Sequence, residues 1–151
     1  MLRVGIVRLP GFPLLSLAGL CDALRHAADL GDRSRQVRCT WRVLGLEGES
    51  VLASSGISVP VQEAFSSTFD FDYLAVIGGL LPQISRVSRR YPRYLKDAAQ
   101  AGIPLIGIGT GSFVLALHGR VPQPGACGPR SPGEGGKAAD PHGTVSQWDS
   151  T

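Results

Sequence analysis

The sequence has few cysteines and no long apolar segment. Cys21, Cys39 and Cys127 are odd in number, irregularly spaced and form no Cys-x-x-Cys pair, which argues against a disulfide framework and a zinc site. No uninterrupted apolar run approaches the ~20 residues that a bilayer-spanning helix requires. The start of the chain also lacks the pattern of a secretory signal. We therefore expect a soluble protein in a reducing, cytoplasmic compartment.

Charge of one sign is not in large excess either. The 15 basic residues, nearly all arginine, face 12 acidic ones, which leaves a formal net charge of +3. This excess is compatible with nucleic-acid binding but does not demand it. With 151 residues, 43% of them hydrophobic, the chain is expected to form about one domain with one buried core.

Strand-like and helix-like patterns alternate along the chain. Residues 2–8 form a β-branched run, and residues 14–29 carry apolar side chains at helical spacing. Residues 73–77 are continuously apolar, which is typical of a strand buried on both faces of a parallel sheet. Further strands are predicted at residues 41–46, 57–61 and 104–108, the last also buried. Helices are predicted at 85–101 and, after a turn at 109–111, at 112–117. The alternation predicts an α/β fold with a flavodoxin-like, doubly wound, mostly parallel sheet and helices on both faces.

The composition changes near the C-terminus. Eleven of the 23 positions from Val121 to Gly143 are Gly or Pro, and between Cys127 and His142 there is no Val, Ile, Leu or aromatic residue. Such a segment cannot build a core. We expect residues 1–119 to form one domain, incomplete at its C-terminal end. Residues 120–151 would then be a disordered native tail or, as we favour, out-of-frame translation of a once longer gene.

Three glycine-containing loops follow predicted strands, at residues 9–12, 78–81 and 107–112. In open α/β sheets, ligands bind beyond the carboxyl ends of the strands, where such loops converge. The third loop has the layout of a nucleophile elbow, in which a reactive side chain lies on a tight turn between strand and helix. Backbone amides at the helix start would stabilise negative charge there, and the helix dipole would favour a thiolate.

Four sequence segments, taken together, indicate a family. They are LPGFPLLSLAGLCDALR at residues 9–25, ASSG at 53–56, DYLAVIGG at 72–79 and GIGTGSFVLA at 107–116. Over residues 3–117 their order and spacing resemble the N-terminal, class I glutamine amidotransferase-like domain of GlxA-like AraC-family transcription regulators. The resemblance implies a domain that senses a small metabolite and mediates self-association, while two C-terminal helix-turn-helix units read DNA. This chain matches the sensor half alone, as a truncated regulator would.

The resemblance also implies where the catalytic groups of related PfpI-type enzymes would fall. The position of the elbow cysteine is Gly109, and that of the acid which hydrogen-bonds the thiol is Ser16. The downstream histidine would lie near Pro129, inside the aberrant segment. None of these residues can do the corresponding chemistry, so we predict that the chain is not an enzyme and carries no cofactor.

Other candidate groups have simpler structural explanations. Thr110 lacks an adjacent base, so we interpret its hydroxyl as an N-cap or turn group at the helix start. The glycine spacing of this loop does not match the Gly-x-Gly-x-x-Gly pattern of dinucleotide sites. Cys21 is interpreted as a small buried hydrophobic residue on the first helix, not a redox centre. His26 and His118 have no second ligand at metal spacing, so no metal site is predicted.

A set of basic residues on the predicted helix at 85–101 could form a stripe for nucleic acid. Arg86, Arg89, Arg90, Arg93 and Lys96 fall mostly three or four apart. A solvated helix face is the commoner explanation of such a stripe. Because no helix-turn-helix pattern follows, we expect no direct DNA binding by this chain.

The leading hypothesis is a non-catalytic, small-molecule-sensing or dimerising domain of a transcription regulator. Its loop backbone would hold an anionic or carbonyl-bearing ligand. The resemblance suggests small amines and amino-acid derivatives as ligand classes. Two alternatives stay open: a PfpI-like hydrolase or glyoxalase, and a decayed fragment that does not fold stably. The predicted pocket residues are Gly11, Ser16, Gly78, Gly79, Gly109, Thr110, Gly111 and Ser112.

Overall fold

The computed structural model describes residues 1–29, 31, 33, 35–84 and 87–117. Its strands are β1 (Leu2–Arg8), β2 (Cys39–Gly45), β3 (Ser50–Leu52), β4 (Ser58–Pro60), β5 (Glu63–Ala64), β6 (Tyr73–Ile77) and β7 (Leu105–Ile108). Its helices are α1 (Leu14–Ala28), α2 (Leu81–Ile84), α3 (Arg90–Gln100) and α4 (Thr110–Leu117).

Five parallel strands form the main sheet, in the order β5-β2-β1-β6-β7. In β1, Val4 is in register with Trp41 of β2 and with Tyr73 of β6. From β1 the chain continues to β2 on one side and returns to β6 on the other. The strand order therefore reverses at the carboxyl ends of β1 and β6, which is where open α/β sheets bind their ligands.

Helices cover both faces of the sheet because successive side chains of each strand point to opposite sides. Ile6 of β1 belongs to an apolar cluster with Leu17 of α1. Its neighbour Val7 belongs to a second cluster with Tyr94 of α3 and Leu115 of α4. The predicted α/β fold, with a mostly parallel, doubly wound sheet between helical layers, is confirmed.

The predicted helix over residues 85–101 is wrong at its start. A short helix, α2, ends at Ile84, and α3 begins only at Arg90. A turn at Ser88 precedes α3: the Ser88 carbonyl accepts the amide of Tyr91 at 3.0 Å, and its hydroxyl accepts the amide of Arg90 at 3.3 Å. Such bonds satisfy amides at a helix start and set a boundary that apolar spacing does not show.

The other predicted elements lie within two residues of their expected bounds, but the sheet differs in two respects. β3 and β5 have three and two residues, too few to show alternation in the sequence. β3 pairs with β4 in an antiparallel hairpin outside the main sheet. β7 was expected to be buried, yet it lies at the edge of the sheet and Ile106 is 46% exposed.

Some predictions fall outside the described residues. They concern the segment 120–151, His118, Arg86, Cys127 and the position near Pro129. The domain boundary near residue 119 and the origin of the segment that follows stay predictions. Within the described ranges, no helix combines the length and apolar character needed to cross a bilayer.

Candidate functional site

Three loops meet beyond the carboxyl ends of β1, β6 and β7. The amide of Gly78 donates to the carbonyl of Ile108 at 3.1 Å, which ties the end of β6 to the end of β7. The hydroxyl of Thr110 donates to the carbonyl of Gly79 at 2.8 Å, which ties α4 to the loop after β6. We call this set of loops, residues 9–12, 78–81 and 107–112, the elbow cluster. It contains the predicted pocket residues other than Ser16.

Close backbone packing explains three of the glycines in the elbow cluster. A methyl group at Gly78 would lie 2.1 Å from the amide nitrogen of Gly111, and one at Gly79 would lie 2.0 Å from the carbonyl oxygen of Pro10. A methyl group at Gly111 would lie 2.0 Å from the carbonyl oxygen of Val76. These positions therefore require glycine whether or not a ligand binds, and their part in ligand binding stays a prediction.

Several amides that were expected to face a ligand already have acceptors. The Gly78 amide is bound to β7, and the amide of Gly11 donates to the carbonyl of Leu52 at 2.9 Å. The amide of Ser112 donates to the carbonyl of Gly109 at 3.2 Å. A ligand could use these three donors only by sharing or replacing a native hydrogen bond, so the elbow cluster is less open than the sequence suggests.

Gly109 occupies the apex of the turn between β7 and α4. Its φ is +57°, in the left-handed region that other L-residues adopt only at a cost. A methyl group at this position would have no neighbouring atom within 4 Å. A strained turn between strand and helix is the backbone arrangement of a nucleophile elbow. The turn is thus present, while its apex offers space and no reactive side chain.

The hydroxyl residues near the apex have other partners. The Thr110 hydroxyl donates to a neighbouring loop and accepts no amide of its own helix among the described residues, so it does not act as an N-cap there. Its other predicted role, as a turn group at the helix start, stays a prediction. The Ser112 hydroxyl donates to the carbonyl of Gly107 at 3.1 Å. Ser16 lies half-buried in α1, and its correspondence to the acid of the related enzymes stays a prediction. The Thr110 hydroxyl thus ties two loops together and that of Ser112 closes its own loop, and a hydroxyl is no general base.

The described cysteines are neither grouped as metal ligands nor activated as thiols. Cys21 packs against the core beneath α1, as predicted, although it is only half-buried. Burial raises the pKa of its thiol, and the carboxylate of Asp22 raises it further. Burial and Asp72 likewise raise the pKa of Cys39. The thiolate is the reactive form, so both are poor nucleophiles near neutral pH. Within the described ranges, no three His, Cys, Asp or Glu side chains are grouped as a metal site would require.

Arg8, at the end of β1, is a buried cation that sequence reasoning misses. Its side chain is fully buried, and it donates from Nη2 to the carbonyl of Val59 at 2.5 Å and from Nη1 to that of Leu44 at 3.4 Å. Its Nε has no hydrogen-bond partner among the described residues. Burial lowers the pKa of the guanidinium, although Tyr91 and Glu49 oppose this. The sequence signal is an arginine at the end of an otherwise apolar run.

A cavity of about 380 Å³ opens beyond the ends of β2 and β5, beside α3, and we call it the β5 pocket. Sequence reasoning misses it because its walls come from separate segments and because β5 has two residues. Of the predicted basic stripe, Arg90 and Arg93 line the pocket, whereas Arg89 and Lys96 are exposed elsewhere on the surface. Its other lining residues include Leu46, Phe65, Ser67 and Tyr94.

Two curated transcription regulators are similar to this chain in sequence. The chain is 33% identical over 116 residues to the HTH-type transcriptional regulator GbdR of Pseudomonas aeruginosa, which covers 77% of this chain and 30% of GbdR. It is 34% identical over 111 residues to the regulator CdhR of the same species, which covers 74% of this chain and 32% of CdhR. The chain thus spans about 30% of the length of these relatives. No protein-family model matches the sequence.

Solved structures agree with these relatives. An AraC-family transcriptional regulator from Pseudomonas putida superposes with a TM-score of 0.63 and 26% identity, over 79% of this chain and 71% of that protein. This chain is a homologue of AraC-family transcription regulators. A ThiJ/PfpI family protein from Pseudomonas syringae shares the fold, with a TM-score of 0.59 and 15% identity over 79% of this chain and 46% of that protein. The AraC-family homologue therefore shares its fold with this ThiJ/PfpI family protein. The resemblance to AraC-family regulators stated from the sequence is confirmed.

Proposed function

We propose that this AraC-family homologue is a non-catalytic domain that senses a small molecule on behalf of a transcription regulator. The observation that carries the proposal is Gly109, where the elbow turn is kept without any side chain at its apex. The open space there lies beside the start of α4, where backbone amides favour an anionic or carbonyl-bearing ligand. Small amines and amino-acid derivatives that carry a carboxyl group are the first ligands to test.

The competing function, a PfpI-like hydrolase or glyoxalase, has the fold in its favour. That chemistry needs a thiolate presented at the elbow. Gly109 cannot supply one, and burial raises the pKa of both described thiols. We therefore propose binding without turnover.

Self-association is a second role that we propose for the domain. Phe113 and Leu117 lie four residues apart on one face of α4 and are 52% and 63% exposed. Ile106 of the adjoining edge strand is 46% exposed. Light scattering on the wild type and on Phe113→Ser tests this role: we expect a dimer that the substitution weakens. A wild type that stays monomeric at high concentration would argue against it.

The ligand-sensing proposal is tested by thermal unfolding in the presence of small amines and amino-acid derivatives. The decisive variant is Gly109→Asn, since asparagine tolerates a left-handed backbone and its side chain fills the open space. Gly56→Asn is the matched control, because Gly56 also has a positive φ, +82°, and no neighbour within 4 Å of an added methyl group. We expect a ligand to raise the melting temperature of the wild type and Gly56→Asn, but not that of Gly109→Asn.

Equal stabilisation of all three proteins would place the ligand elsewhere and overturn the elbow as its site.

Gly109→Cys separates binding from catalysis. Turnover of an amide or a glyoxal by this variant alone would show that the pocket lacks nothing but the thiol. Turnover by the unmodified chain that a thiol reagent abolishes would overturn the non-catalytic proposal, and Cys21 would be the first residue to replace.

The alternative of a decayed fragment is tested by hydrogen exchange. Both faces of the described sheet carry an apolar cluster, so we expect slow exchange at Val4 to Val7 and at Leu74 to Ile77. Uniformly fast exchange would show that the chain does not fold stably.

A further inference from the structure

The β5 pocket and the elbow cluster lie toward opposite edges of the sheet. The pocket opens beyond β2 and β5, whereas the apex of the elbow follows β7, and β5 and β7 are the two edge strands. None of the residues predicted for the elbow lines the pocket. Binding at one place can therefore be measured independently of binding at the other.

An aromatic pair forms the apolar part of the pocket. The rings of Phe65 and Tyr94 stack with centroids 4.2 Å apart and planes 18° apart. The ring of Tyr91 meets Phe65 edge-on at 4.9 Å. Tyr94 is only 7% exposed, so this wall is fixed before any ligand arrives. Leu46 and Ala64 extend the apolar surface, which suits the hydrocarbon part of a small ligand.

Charged residues also line the pocket, and they differ in whether they have an ion-pair partner. Arg93 has a carboxylate nearby, since its Nε lies 3.8 Å from Oδ2 of Asp97. Arg90, also on the pocket wall, makes no ion pair with any residue in the described part of the chain. Glu47, which follows β2, lines the pocket as well and is likewise without an ion-pair partner in that part. The pocket thus offers one unpaired cation, one unpaired anion and an apolar wall.

We propose that the β5 pocket binds a small monocarboxylate with an apolar body. The carboxylate pairs with Arg90, whose guanidinium can hold both oxygens at once. The apolar body lies against Phe65 and Leu46. Glu47 repels a second negative charge, so the site discriminates against dicarboxylates. A volume of about 380 Å³ is at the lower end of ligand-pocket sizes, which fits a ligand of this kind.

The proposal is tested with three phenyl compounds that differ in charge. The full chain, labelled with ¹⁵N, is titrated with 3-phenylpropanoate, with the dicarboxylate phenylsuccinate and with 3-phenylpropylamine, and amide shifts are followed by NMR. We expect saturable shifts around residues 45–47, 64–67 and 90–97 with the monocarboxylate. The dicarboxylate should bind several-fold more weakly. The amine can pair with Glu47 but not with Arg90, and should also bind more weakly than the monocarboxylate.

Arg90→Gln is the decisive variant, and Arg89→Gln is its matched control. Both arginines are exposed neighbours at the start of α3, but only Arg90 lines the pocket. Loss of one charge-assisted hydrogen-bonded pair should lower the affinity of Arg90→Gln for 3-phenylpropanoate by about tenfold or more. Arg89→Gln should bind like the wild type. Glu47→Gln should reduce the difference in affinity between the monocarboxylate and the dicarboxylate.

If Arg90→Gln and Arg89→Gln lose equal affinity for 3-phenylpropanoate, the effect is one of general surface charge and the proposed site is overturned. The proposal also fails if the amine binds as well as the carboxylate, or if no saturable shift occurs at the pocket residues. Gly109→Asn separates this proposal from the elbow. Unchanged binding of 3-phenylpropanoate to that variant supports two independent sites, whereas its loss would assign the compound to the elbow cluster.

Discussion

The hydroxyl of Tyr91 donates a hydrogen bond to Oε2 of Glu49 over 2.6 Å, which joins α3 to the turn that follows β2. The same carboxylate oxygen accepts the amide of Leu46 at 3.1 Å. A methyl group at Gly45 would lie 2.5 Å from Cγ2 of Val61, 3.2 Å from the Tyr91 hydroxyl and 3.3 Å from this oxygen. The bare backbone at the end of β2 therefore leaves room for Val61 and for the hydrogen-bonded pair. The bond therefore positions α3 beside the end of β2, where the β5 pocket opens.

Replacing Tyr91 by Phe should lower the free energy of unfolding by about 1–2 kcal/mol, because a hydrogen bond to a charged group is lost with little change in volume. Urea unfolding followed by circular dichroism measures the difference. Tyr73→Phe is the control, because Tyr73 is 40% exposed and its hydroxyl makes no hydrogen bond that the described residues show. If the two variants unfold at the same urea concentration as the wild type, the Tyr91 bond does not stabilise the fold.

A second tyrosine should make the fold sensitive to alkali. Burial, and to a smaller extent the Glu63 carboxylate, raises the pKa of Tyr94 to about 12. A group whose pKa is raised by folding contributes stability that is fully present below its unfolded pKa, about 10, and lost as the pH rises through the folded value. We expect Tyr94→Phe to lose less stability than the wild type between about pH 10 and about pH 12. Parallel urea series across this range test it, and coincident pH profiles of the two proteins would contradict it.

The fold was predictable from the sequence where apolar runs are long. Residues 73–77, continuously apolar, form a central strand, and the spacing of residues 14–29 marks α1 within one residue. The prediction fails where local hydrogen bonds set the end of an element or where a strand is very short. The turn at Ser88 places the start of α3 later than apolar spacing predicts. β5 pairs with β2 at two positions only, which is too short for an alternating pattern to appear in the sequence.

Part of the candidate site was also predictable from the sequence. Glycines in a strand-loop-helix context identified the elbow cluster, because a chain that approaches another backbone closely must omit its Cβ there. The β5 pocket and the burial of Arg8 could not be predicted. Both depend on how α3 and the β3–β4 hairpin lie against the sheet, which is a property of the tertiary structure.

Two glycines should respond to alanine in opposite directions. At Gly78 an added methyl group meets the backbone of Gly111 at 2.1 Å, so Gly78→Ala forces β6 and α4 apart and should destabilise by more than about 2 kcal/mol. Gly19 lies exposed in α1 with no neighbour within 4 Å of an added methyl group, so Gly19→Ala should stabilise by about 0.5–1 kcal/mol. Thermal and urea unfolding measure both. A Gly78→Ala protein as stable as the wild type would contradict the close packing of the elbow cluster.

Arg8 is expected to lower the stability of the fold and not to raise it. Its guanidinium is fully buried with two carbonyl oxygens and the ring of Phe12 as partners, while its Nε is unpaired among the described residues. The Glu49 carboxylate favours the charged form of Arg8, but the two form no ion pair among the described residues. Such a cation is expected to cost more in lost hydration than its contacts return. Arg8→Met keeps much of the volume and should leave the protein equally stable or more stable, by up to about 4 kcal/mol. Arg3→Met on the same strand is the control: its guanidinium pairs with Asp70 at the surface and should change stability by less than about 1 kcal/mol. A large loss of stability in Arg8→Met alone would reverse the conclusion, because it would show that the bonds to Val59 and Leu44 hold the β3–β4 hairpin against the sheet.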